Sequence, residues 1–90
     1  MRDRITDNNL KFYCDLINEE TGNAKEPWTR KDGRNFSNVG NYHISHAYGG
    51  VCLHQMVNEG GGVHDTFACG HVPKRDLYNR MRAFYEGLSA

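Results

Sequence analysis

The sequence predicts a single two-layer α+β domain in the order α-β-β-(β)-α, a small antiparallel sheet covered on one face by two helices. Three observations carry that prediction. Apolar residues recur at helical spacing in a segment near each end of the chain. The stretch between them alternates apolar and polar residues around a pair of glycines. The chain is 90 residues long, one domain's worth, and a chain of that size buries roughly 60% of its unfolded surface.

The first helix is predicted over residues 6–21. Leu10, Tyr13, Cys14 and Ile17 fall at i, i+3, i+4 and i+7, and Phe12 and Leu16 widen that face. Thr6 or Asp7 suits the N-cap, and Gly22 suits the left-handed position that ends a helix. Residues 23–39 hold Pro27, Gly33 and many polar side chains without a sustained period. They read as a long surface connection pinned to the core by Trp28 and Phe36, and so long a connection suggests a functional segment.

Residues 41–57 read as a β-hairpin. Tyr42, Ile44, His46 and Tyr48 alternate onto one face, Gly49-Gly50 supplies the two-residue loop, and Val51, Leu53 and Val57 share a face of the return strand. Asn58-Glu59-Gly60-Gly61-Gly62 is a second turn, and residues 63–69 are a candidate third strand. The closing helix is predicted over 73–88. Pro73 stands at its start, and Leu77, Met81, Phe84 and Leu88 line one face.

Lysine plus arginine is 11 and aspartate plus glutamate is 11, so the net charge is zero. That profile argues against a strongly basic nucleic-acid binder and against an acidic mimic of DNA. The layout is uneven. From Asn35 to Pro73 there is no lysine or arginine, the only acids are Glu59 and Asp65, and all five histidines lie there. No run approaches the roughly 18 apolar residues of a membrane span. Met1-Arg2-Asp3-Arg4 leads into a polar segment, which reads as no secretory leader. Three cysteines are an odd number, and they read as reduced thiols of a cytoplasmic protein.

Several groups of residues could carry chemistry. Cys52-Leu53-His54 and Cys69-Gly70-His71 are two Cys-x-His pairs, and on strands each pair shares a face. Together Cys52, His54, Cys69 and His71 form a candidate zinc set, although finger and ribbon sites usually use Cys-x₂₋₄-Cys. The same cysteines with a histidine and Asp65 would make a nucleophilic set, but no nucleophile turn frames them. Gly60-Gly61-Gly62 lacks the lysine and serine of a phosphate loop and reads as a turn. Arg30, Lys31 and Arg34 in the connection, with Lys74, Arg75, Arg80 and Arg82 in the last helix, form the candidate nucleic-acid set. The element order is shared with double-stranded RNA-binding domains, yet the lysine run expected at the last helix is missing.

Asn38-Val39-Gly40-Asn41-Tyr42-His43, Ala47-Tyr48-Gly49-Gly50-Val51, Asn58-Glu59-Gly60-Gly61-Gly62-Val63 and Lys74-Arg75-Asp76-Leu77-Tyr78 resemble a group of small uncharacterised accessory proteins of bacteriophages and prophages. The resemblance extends over roughly Leu10 to Leu88. It implies an accessory protein working in the cytoplasm of the bacterial host, and it implies no catalytic residues.

The leading expectation is therefore a non-enzymatic module that binds a host or phage protein, with inhibition of a host or defence function as its outcome. Interface centres are depleted in charge and enriched in aromatics. The expected contact residues are accordingly Tyr42, His43, Tyr48, His54, Asn58, Glu59 and His64. Nucleic-acid binding and a small zinc protein follow as alternatives. No other cofactor and no membrane are expected, and a homodimer is compatible with each reading.

Overall fold

The computed structural model describes residues 4–90, so the Met1-Arg2-Asp3 part of the leader reading lies outside it. Two helices and two small antiparallel sheets make up a small α+β domain. Helix α1 spans Asp7–Thr21 and α2 spans Lys74–Leu88. Strands β3 (Tyr42–Ala47), β4 (Gly50–Met56) and β5 (Val63–Asp65) form a meander in that order. Strands β1 (Trp28–Lys31) and β2 (Arg34–Ser37) form a separate two-stranded ribbon.

Helix α1 begins in a reciprocal cap. The Thr6 hydroxyl accepts from the Asn9 amide at 3.3 Å, and Asn9 Oδ1 accepts from the Thr6 amide at 2.9 Å. Gly22 ends the helix in the left-handed region, where it costs no Cβ clash. The apolar faces of α1 and α2 meet over β3 and β4. Leu10, Cys14, Ile17, Tyr42, Val51, Leu53, Leu77 and Met81 form the core cluster. Lys74 in the first turn of α2 pairs with Asp7 in the first turn of α1 at 3.1 Å, and Tyr13 meets Tyr78. The two helices therefore run in the same general direction.

Asn18, fully buried on α1, locks the helix to the sheet. Its Oδ1 accepts from the Tyr42 amide at 2.7 Å, and its Nδ2 donates to the Tyr42 carbonyl at 2.9 Å. The Cys14 thiol donates to the same carbonyl at 3.1 Å.

Three expectations change. The long connection is not irregular. It holds the β1–β2 ribbon, turning at Asp32-Gly33 with both residues at positive φ, as a two-residue type I′ turn needs. Trp28 does anchor the ribbon, but to the Gly61 turn, and Phe36 is half exposed. The β3–β4 loop is Tyr48-Gly49 and not Gly49-Gly50, because Ala47 pairs with Gly50. Gly50 lies in the ladder, where a Cβ would stand 3.0 Å from the Val72 carbonyl oxygen. The absent side chain admits the Val51–Val72 bridge.

Candidate functional site

Alternation along β3 and β4 divides the sheet's residues between two faces. Tyr42, Val51 and Leu53 belong to the helix-packed core. His43, Ser45, Cys52, His54 and Asp65 occupy the other face, since His43 pairs with His54, Ser45 with Cys52, and His54 with Asp65.

Four rings line this helix-free face. The centroids of Tyr48 and His71 are 5.9 Å apart, those of His71 and His54 are 6.0 Å apart, and those of His54 and His43 are 5.9 Å apart. Each ring meets the next edge-on, a favoured geometry for aromatic pairs. His71 reaches across β4 and hydrogen-bonds Ser45 at 3.1 Å between Nε2 and Oγ. His43 Nδ1 lies 3.1 Å from Asn41 Oδ1. The Asn41 amide nitrogen is already donating to the Ala24 carbonyl, so Oδ1 is the acceptor and His43 carries its proton on Nδ1. Burial and the neighbouring imidazole of His54 push His43 below its ordinary 6.5. Burial and the His71 ring lower His54 in the same way. His43 and His54 are thus neutral at pH 7.

The turn after β5 supports this face. Asp65 accepts from the Gly70 amide at 2.7 Å and from the Phe67 amide at 3.2 Å. Burial works to raise the Asp65 carboxyl, but the bonds from Gly70, Cys52, Phe67 and Ala68 outweigh it and hold the group below 3.8. Burial and the bond to Asp65 push the Cys52 thiol up to about 12, and burial does the same to Cys14. Both stay protonated at neutral pH, so neither is an activated nucleophile.

The expected contact residues divide. His43, His54 and Tyr48 share the ring row, which His71 joins from the zinc set. Tyr42 does not belong to it. Only 8% exposed, it packs inward and meets Phe84 at 5.9 Å, because its strand position faces the helices. His64 pairs with Gln55 and so belongs to the opposite face from His54. The Asn58 side chain closes its own turn by accepting from the Gly62 amide at 2.9 Å, and Glu59 stands exposed beside it.

The other sets divide as well. Cys52 has Cys69 as a neighbour, and His54 faces His71. Among the described residues, however, no group of three or more histidine, cysteine or acidic side chains converges to hold a metal ion. Arg30, Lys31 and Arg34 all lie on the β1–β2 ribbon, but only Lys31 and Arg34 stand opposite each other on one face. On α2, Lys74, Arg80 and Arg82 pair with Asp7, Asp76 and Glu86. Arg75 lies in the first turn of that helix. No helix among the described residues is long and apolar enough to cross a membrane.

Comparison with models of known families, with characterised proteins and with solved structures finds no match for this chain.

Proposed function

We propose that the chain is a non-enzymatic binding module whose contact surface for a protein partner is the helix-free face of the β3–β4–β5 sheet. One observation carries this reading. Tyr48 is 98% exposed and sits at φ +54, a left-handed position where glycine or asparagine is ordinary. A bulky side chain there costs conformational energy and gains no core packing in return. Local rules broken without structural gain concentrate at functional sites. The Tyr48 ring meets His71 and so continues the row of imidazoles, which gives an aromatic strip of the kind found at interface centres.

The partner we propose is a protein of a bacterial host or of a phage, as the sequence resemblance implies, and inhibition of a host or defence function is the outcome we attach to it. The test is affinity capture from host lysate. The comparison sets the wild-type chain against a Tyr48→Ala/His71→Ala variant and against Phe12→Ala, which alters an exposed ring on α1. The expected result is a partner kept by Phe12→Ala and absent with the double variant. Equal recovery by all three would remove the sheet face as the contact surface.

A further inference from the structure

The β1–β2 ribbon has a different chemistry from the sheet face, and its register sorts its side chains. Trp28 pairs with Ser37, Thr29 with Phe36, Arg30 with Asn35, and Lys31 with Arg34. Trp28, Arg30, Asn35 and Ser37 therefore share one face, and Thr29, Lys31, Arg34 and Phe36 share the other. The first face fastens the ribbon to the body. Trp28 Cη2 lies where a Cβ on Gly61 would be 2.6 Å away, and the Ser37 hydroxyl donates to the Asn58 carbonyl at 2.7 Å. The second face is outside that attachment.

Two features of this outer face lack a structural purpose. Lys31 and Arg34 stand directly opposite each other, and like charges so placed destabilise a strand pair. Among the described residues neither cation makes an ion pair, and Asp32 at the tip pairs with neither of them. Phe36, 50% exposed, follows two positions after Arg34 on the same face, roughly 6.6 Å along the strand. Among the described residues neither helix makes an extensive contact with the ribbon. A bare two-stranded ribbon is marginal in water, so a repulsive pair and an uncovered aromatic are costs that it carries at its weakest place.

We propose that this outer face binds single-stranded nucleic acid, with Lys31 and Arg34 on the phosphates and Phe36 as a stacking platform for a base. The combination of paired cations with an exposed ring is the one such proteins use, since every unpaired base offers a face to stack on. A duplex would leave Phe36 idle, because its bases are already stacked. The protein-contact reading is independent of this one and uses a different surface.

The test measures fluorescence anisotropy of a labelled oligothymidylate of about 12 nucleotides with the full chain, between about 50 and 200 mM salt. Duplex DNA of the same length and vesicles containing phosphatidylserine are run beside it. We expect binding to oligothymidylate that weakens linearly in log salt. Lys31→Ser/Arg34→Ser should lower that slope by about 1.4, or about 0.7 for each phosphate of the single strand that the variant no longer neutralises. Phe36→Ala should weaken binding at least about fivefold and leave the slope unchanged. Tyr48→Ala should bind as wild type does, which separates this surface from the sheet face. Unchanged Trp28 emission shows that the variants keep the ribbon attached. No binding at the lowest salt, a slope that the double variant does not change, tighter binding to duplex with Phe36→Ala indifferent, or binding to vesicles alone would each overturn the proposal.

Discussion

Replacing Asn18 with alanine tests how the helix layer is held to the sheet. The Tyr42 amide and carbonyl point outward from β3, away from β4, and Asn18 satisfies both at 2.7 and 2.9 Å. Removing the side chain leaves the carbonyl with the Cys14 thiol at 3.1 Å but leaves the amide with no partner in a buried place. A buried donor so orphaned costs about 1–3 kcal/mol, and the weakened carbonyl adds about 1 kcal/mol. The total, about 3 kcal/mol, corresponds to a fall in melting temperature of roughly 10–25 °C for a domain of this size. Urea unfolding followed by circular dichroism measures it. Asn18→Asp sharpens the test. As a carboxylate it keeps the acceptor but loses the donor and buries a charge. Its deficit should therefore shrink as pH falls and the acid regains a donating hydrogen. A loss below about 1 kcal/mol in Asn18→Ala, or a pH-independent loss in Asn18→Asp, would refute the reasoning.

Three further predictions follow from the site and its supports. Cys14 and Cys52, both pushed up to about 12, should react with a thiol reagent at pH 8 only on unfolding. Cys69, less buried, should react at once; three fast equivalents in the native protein would contradict this. His43 and His54 sit below 6.5 in the folded chain, so below that pH the unfolded chain takes up protons that the folded chain does not. Their contribution is full above pH 6.5 and is lost as pH falls toward their folded values. The urea midpoint should drop across that window, and by less in His43→Gln/His54→Gln. Gly61→Ala should displace Trp28, because the new Cβ meets its ring and the residue sits at φ +90. The cost should be about 1–3 kcal/mol, and the emission of the sole tryptophan should shift to the red while the helical signal stays.

Periodicity reveals the elements that bury a face. The run Leu10, Cys14, Ile17 and the pair Leu77, Met81 mark α1 and α2 because one side of each must meet the core. The ribbon is silent to that signal. Neither Trp-Thr-Arg-Lys nor Arg-Asn-Phe-Ser buries a face, so no alternation of apolar and polar residues is imposed. The one cue was Asp32-Gly33, a strong hairpin dipeptide that the polar flanks obscure. Around Gly49 the ambiguity is of another kind. Two adjacent glycines each have a reason, one for positive φ and one for the approach of Val72, and composition alone does not say which is which. That one-residue shift moves Tyr48 from a strand face to the tip of a turn. The histidines were legible as a group, but the part His71 plays depends on its crossing β4 to Ser45, a hydrogen bond between residues 26 positions apart.

The pairing of α1 with α2 also orders events during folding. The meander joins neighbours through short turns, whereas the two helices are separated by residues 22–73, a closure that costs more loop entropy than any of the strand turns. Until α2 docks, Val51 and Leu53 lack the cover of Leu77 and Met81. A folding chain that has paired its meander but not yet seated α2 therefore presents a sheet with one apolar face bare. Such a species is prone to aggregation, and the docking of α2 is the step that removes the hazard.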